Sequence, residues 1–161
     1  MKNQQEKLVD NQKLLDAQEK QFNLPEAKPP GTEEELQEYL SMSREVIEKL
    51  SPEKIWSISV RLSQFAFYIQ RNINRNNAII KYAEHEINKI VSQEIKQFDK
   101  FTKHEVKVYQ ICRTNSAAIE ALKIKIYAEQ TVDRLTDLAS GLKNLSYIIS
   151  MPYKHKVGDK L

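Results

Sequence analysis

Glycine is nearly absent from this chain. Only 3 occur in 161 residues, and none lies between Gly31 and Gly141. A stretch that long without a glycine turn argues against a sheet protein and suits helices. Three scattered glycines also exclude a phosphate-cradling Walker loop and a GxGxxG dinucleotide loop. Cysteine is scarcer still, with Cys112 alone. One thiol makes neither an intramolecular disulfide nor a metal framework, and its plain reading is a buried, unreactive side chain. The 3 histidines, His85, His104 and His155, sit in neither HExxH nor Glu-x-x-His spacing, and no GxSxG is present. Glu84 and Glu86 flank His85, but adjacent helical residues point apart and cannot converge on one ion. No run of about 18 apolar residues occurs, and the chain does not open on a basic–apolar–small leader. These absences point away from an enzyme, a metal or cofactor, and a membrane. They place the chain in a reducing cytoplasm.

What is present is charge, unevenly spread. Residues 1–50 hold 7 Lys/Arg against 11 Asp/Glu, net −4. Residues 51–161 hold 18 against 11, net +7. An acidic segment followed by a basic one hints at an anionic or nucleic-acid partner.

The apolar pattern is helical. Residues 1–24 are polar, with Leu8, Leu14, Leu15 and Phe22 too sparse for a stripe, and a frayed helix or disorder is expected. PEAKPPG at 25–31 cannot continue a helix and reads as a linker. Thr32-x-x-Glu35 is a capping box, opening a short acidic helix over 32–50 with Glu33, Glu34 and Glu35 at its positive end. Ser51-Pro52 opens the next helix. Its seam runs Ile55, Ile58, Leu62, Phe65, Ile69, Ile73, Asn76, Ile80, Ala83, Ile87, Ile90, spaced by threes and fours. A helix from 52 to about 99 would be roughly 70 Å long. A turn is expected at 99–104. A third helix from about 105 to 151 carries Val108, Ile111, Ala118, Leu122, Ile126, Val132, Leu135, Leu138, Leu142, Leu145 and Ile149. Pro152 is expected to end it, leaving a polar tail at 153–161 with Lys154, His155, Lys156 and Lys160.

The expected fold is therefore all-α. It is a long antiparallel helical hairpin or coiled coil over 51–153, with an additional N-terminal helix. Such a hairpin has little interior and leaves Trp56, Phe67, Ile79 and Ile124 off the seam. Covering that second face calls for further helices, and identical subunits are the expected source, giving a helical homo-oligomer.

Between Glu53 and Glu84 there is no acidic residue. The window holds Lys54, Arg61, Arg71, Arg75 and Lys81 beside Trp56, Phe65, Phe67, Tyr68 and Tyr82, with Asn72, Asn74, Asn76 and Asn77 between. Arg61, Tyr68, Arg71 and Arg75 fall on roughly one helical face. A single-strand binder uses such a face: cations take phosphates and aromatics stack on bases. Lys89, Lys96, Lys100, Lys103 and Lys107 extend the track. A structural reading stands beside it. Cations flanking a seam pair with acids on a neighbouring helix, and Glu33, Glu34, Glu35, Glu38, Glu45 and Glu48 supply them.

The run FAFYIQRNINRNNAIIKYAEHEINKIV, a short connection, and then KHEVKVYQICRTNSAAIEALKIKIYAEQTVDRLTDLASGLKNLSYIIS resemble the UvsY family of phage recombination mediators over about residues 52–153. The resemblance implies binding of single-stranded DNA and help in loading a phage recombinase onto DNA coated by single-strand-binding protein. It implies a homo-oligomer assembled through Leu135, Leu138, Leu142, Leu145 and Ile149, with the basic residues of 61–107 facing DNA. Where the family carries a compact basic Leu-Lys-Ala-Arg stretch, this chain reads VSQEIKQFDK, with Lys96 and Lys100. The first 50 residues lie outside the resemblance, as a partner-binding or autoinhibitory arm. The alternatives are a coiled-coil scaffold or virion assembly component indifferent to DNA, and an adaptor that holds a basic partner with its acidic arm.

Overall fold

A computed structural model describes residues 3–22 and 28–158, with side chains to Met151. Within the described residues every regular element is helical. The order is α1 (Gln4–Gln21), α2 (Glu33–Ser41), α3 (Arg44–Glu48), α4 (Pro52–Glu94), a 3-10 turn (Ile95–Gln97), α5 (His104–Thr114) and α6 (Ser116–Gly158).

Local chemistry sets the ends. α1 opens on a capping box, in which Asn3 and Glu6 satisfy each other's backbone amides. The segment expected to fray or be disordered is thus an 18-residue helix. The linker at 25–31 is described only from Lys28, and residues 23–27 lie outside the described set. Thr32 caps α2 as its sequence predicts, accepting from the Glu35 amide at 3.2 Å. The single helix expected over 32–50 is two: Met42 is extended, and Ser43 caps α3. Serine before a helix offers the amides a better acceptor than continuation does. Ser51 caps α4, and Pro52 takes the first helical position.

The third expected helix is also divided. Asn115 ends α5 in an extended conformation and starts α6, its side-chain oxygen accepting from the Ala118 amide at 3.0 Å. Pro152 does not end α6, whose backbone stays helical to Gly158. A proline forgoes one amide bond, but the chain beyond it can resume the helix. Residues 159–161 of the expected basic tail, and the side chains of 152–158, lie outside the described set.

The chain divides into two compact units. Met1–Glu26 and Asn74–Val132 form unit 1; Ala27–Ile73 and Asp133–Leu161 form unit 2. α4 and α6 each contribute to both units.

In unit 1, α4 and α6 run antiparallel. The Asn115 side-chain Nδ2 donates to the Glu94 carboxylate, and Lys125 Nζ stands 3.0 Å from Glu84. Val91, Ile111 and Ala118 form a buried cluster, packed by Ile87, Ile90, Ile95, Phe98 and Val108. This cluster closes the reversal between α4 and α5.

In unit 2 the core is Ile55, Ile58, Leu62, Phe65, Ala66, Ile69, Ile73, Tyr39, Ala139, Leu142 and Ile149. The predicted seam of α4 is buried here as spaced. Ser146 donates to the Ser59 carbonyl at 2.8 Å and meets the Ser63 hydroxyl at 2.9 Å. Tyr39 donates its phenol to Glu35 at 2.7 Å. Burial, then that hydrogen bond and the Glu35 charge, push the Tyr39 phenol from its usual 10.0 up to about 12.

A raised phenol pKa means the folded chain holds that proton more tightly than the unfolded one. The resulting stability is complete below about pH 10 and is lost as pH rises towards 12. The thermal midpoint of unit 2 should fall over that interval, and Tyr39→Phe should flatten the fall. Calorimetry across the interval checks both.

Candidate nucleic-acid interface

The basic residues expected to face nucleic acid do not share one environment. In unit 2, Arg61 donates from Nε to Glu35 at 3.1 Å and from Nη1 to the Pro30 carbonyl at 2.7 Å and to Gln64 at 3.3 Å. Gly31 lets the chain pass this close, since a Cβ there would press on the Glu35 carboxylate and the Phe65 ring. The phenol bond from Tyr39, with Arg61 alongside, holds the Glu35 carboxyl below the usual range. Tyr68 is half-buried, and its carbonyl accepts from Asn72 at 3.0 Å. Arg71 is also half-buried and engaged within the chain. In unit 1, Arg75 is paired with Asp16 and, at 3.9 Å, with Glu19. Arg61 thus takes the pairing reading, with Glu35, while Arg75 is held by Asp16 and Glu19 of α1, which that reading did not name.

The lysines differ. Lys81, Lys89, Lys96, Lys100 and Lys103 are exposed, and Lys107 is half-exposed. Lys96, Lys100, Lys103 and Lys107 lie together on the reversal of unit 1, between the end of α4 and the first turns of α5. Asp99 builds that reversal. Its carboxylate accepts from the Phe101 amide at 2.6 Å, the Thr102 amide at 3.0 Å and the Thr102 hydroxyl at 2.5 Å. These bonds, the Thr102 hydroxyl first, keep its carboxyl below the usual range, so it stays an anion committed to the turn. Phe98 turns inward onto the buried cluster, while Phe101 is 97% exposed. On α5, Arg113 lies over the Tyr109 ring, 5.4 Å from its centre, and donates to its hydroxyl at 3.0 Å. Tyr109 is itself 60% exposed.

The reversal therefore presents four lysines and a bare phenyl ring, while the arginine–tyrosine pair lies further along α5. Its acids between 96 and 113 are Asp99 and Glu105. Cations at such spacing neutralise successive phosphates, and exposed rings stack on unpaired bases. No family model, curated protein or solved structure matches the chain.

Phe101, Tyr109 and Arg113 are absent from the sequence-derived site. Phe101 stands next to Lys100 in a stretch read only as a turn, and a turn's polarity pattern does not say which of Phe98 and Phe101 faces out. The expected assembly stripe is split as well. Leu142 is 1% exposed and Ile149 is wholly buried in the chain's own core. Leu135 and Leu145 are half-buried, and Leu138 is 40% exposed. Off the seam, Trp56 and Phe67 are exposed, whereas Ile79 and Ile124 are half-buried. Cys112 is half-buried rather than buried, and what burial it has raises its thiol pKa. Among the described residues no group of His, Cys, Asp and Glu is placed to hold a metal. No helix among them is long and apolar enough to cross a membrane.

Proposed function

We propose that the chain binds single-stranded nucleic acid through the α4–α5 reversal, as a non-enzymatic recombination accessory. The observation that carries the reading is Phe101, 97% exposed among Lys96, Lys100, Lys103 and Lys107. An exposed ring alone is unremarkable on a protein surface. A ring held out by a carboxylate-built turn, with cations on both sides in sequence, matches what a phosphate-linked chain of unpaired bases requires. The UvsY resemblance gives the biological setting: helping a recombinase displace single-strand-binding protein from single-stranded DNA.

Phe101→Ala tests the reading. Base–aromatic stacking contributes about 1–3 kcal/mol per base, or roughly 5- to 150-fold in affinity. Fluorescence anisotropy with a labelled oligothymidylate should show a loss in that range. A matched duplex, whose bases are already stacked, should lose much less. Because the ring is exposed, stability should stay within about 0.5 kcal/mol. Equal single-strand affinity for Phe101→Ala and the parent chain would remove Phe101 from the interface.

A second reading, a helical assembly component, draws on unit 2. Trp56 is 60%, Phe67 65% and Ile148 57% exposed there. Such residues suit contacts between copies of the chain.

A further inference from the structure

Arg75, Tyr82 and Lys89 stand seven residues apart on α4, which sets them on one face, and Lys96 follows at the same interval in the 3-10 turn. α1 lies antiparallel along the first half of this stripe. Asp16 and Glu19 hold Arg75. Burial first, then the Glu86 charge and lastly that of Asp10, raise the Tyr82 phenol pKa. Lys7 reaches Glu86 at 3.5 Å. At the far end, the Gln4 and Gln5 amides donate to the Glu120 carboxylate at 3.0 and 3.4 Å. Lys89 and Lys96 remain exposed.

The way α1 is held matters. Its one buried residue is Gln4, while Val9, Leu14 and Leu15 are exposed. Leu8 is half-buried, so charge and hydrogen bonds rather than a buried apolar stripe supply most of what fixes this helix. The Arg75 pairs are partly open to water and so weaken with salt, whereas Lys7 meets the buried Glu86. An isolated helix of this length is marginal in water. A nucleic-acid strand offers Arg75 a phosphate where α1 offers carboxylates, offers Tyr82 a base to stack on, and gains counterion release besides.

We infer that α1 is a displaceable stand-in for a nucleic-acid strand, and that the face beneath it, Arg75 and Tyr82, is a second binding segment continuous with the α4–α5 reversal. This rests on the nucleic-acid reading of that reversal. Binding in the resting chain then begins at the exposed lysines. It extends along α4 as the strand replaces Asp16 and Glu19.

The test uses the full chain, an oligothymidylate long enough to span both segments, and anisotropy over a salt series. D16N/E19Q removes the competing anions and keeps the side-chain shapes. With those anions gone, the phosphate at Arg75 no longer frees a carboxylate that takes up a cation again, which steepens the net salt slope by about 0.7 and tightens binding about fivefold at about 0.1 M salt. Adding R75Q should cancel both gains. Two results overturn the inference while leaving the reversal as a binding site: D16N/E19Q matching the wild type in affinity and slope, or the triple variant keeping the gain. If neither wild type nor D16N/E19Q binds at low salt, the nucleic-acid reading fails, and the inference falls with it.

Discussion

Replacing Lys96, Lys100, Lys103 and Lys107 together by Gln should cost the chain nearly all its affinity for single-stranded DNA. Each lysine that neutralises a phosphate releases a counterion, worth about 0.7 in the slope of log affinity against log salt for a single strand. Four contacts give a slope near 3. At about 0.1 M salt that is a loss on the order of several hundred-fold. The fold should not suffer. Three of the four lysines are exposed and Lys107 is half-exposed, and the reversal is held from beneath by Val91, Ile111 and Ala118 and from within by Asp99. Surface substitutions of this kind usually stay within about 0.5 kcal/mol each. Near-parent affinity in the quadruple variant would move the interface elsewhere.

Leu142→Ala should lose about 2–5 kcal/mol of stability, and Leu138→Ala far less, under about 1 kcal/mol. Both were candidates for one assembly stripe. Leu142 is 1% exposed in the core of unit 2, so truncation leaves a cavity and forfeits apolar transfer. Leu138 is 40% exposed, and water can occupy what its truncation vacates. At roughly 2–4 °C per kcal/mol for a chain of this size, Leu142→Ala should melt at least several degrees lower. Thermal unfolding at low protein concentration separates this from an assembly role. A pure assembly residue would show its effect as lost oligomer at unchanged low-concentration stability.

The α4 core was legible because its large apolar residues recur by threes and fours, and those from Ile55 to Ile73 are buried as spaced. The buried face of α6 was legible only in part, at Ala118, Leu142 and Ile149. Its inward positions include Ala118, Ala121, Ala128, Ala139 and Ser146, beside Leu142 and Ile149. Small residues let neighbouring helices approach closely, but a search for large apolar side chains passes over Ala121, Ala128, Ala139 and Ser146. It settled instead on Ile126 and Leu138, which are exposed. Helix breaks were missed for a related reason: Asn115 and Ser43 interrupt without Gly or Pro, through side chains that outcompete the helix for an amide. Of the site, the exposed lysines were legible from the charge pattern. The Arg61–Glu35 pair was one of two open readings, and the partner of Arg75 was not legible, because Asp16 lies 59 residues away in sequence. Phe101 was hidden because exposure at a turn follows from the Asp99 bonds, not from periodicity.

The most direct test of the central claim is the salt dependence of single-strand binding, measured by anisotropy for the full chain beside its quadruple lysine variant. The account predicts binding at low salt that weakens with a slope of about 3 and favours the single strand over duplex, with the slope nearly abolished in the variant. No binding at low salt, or a slope that the four lysines do not change, would contradict it.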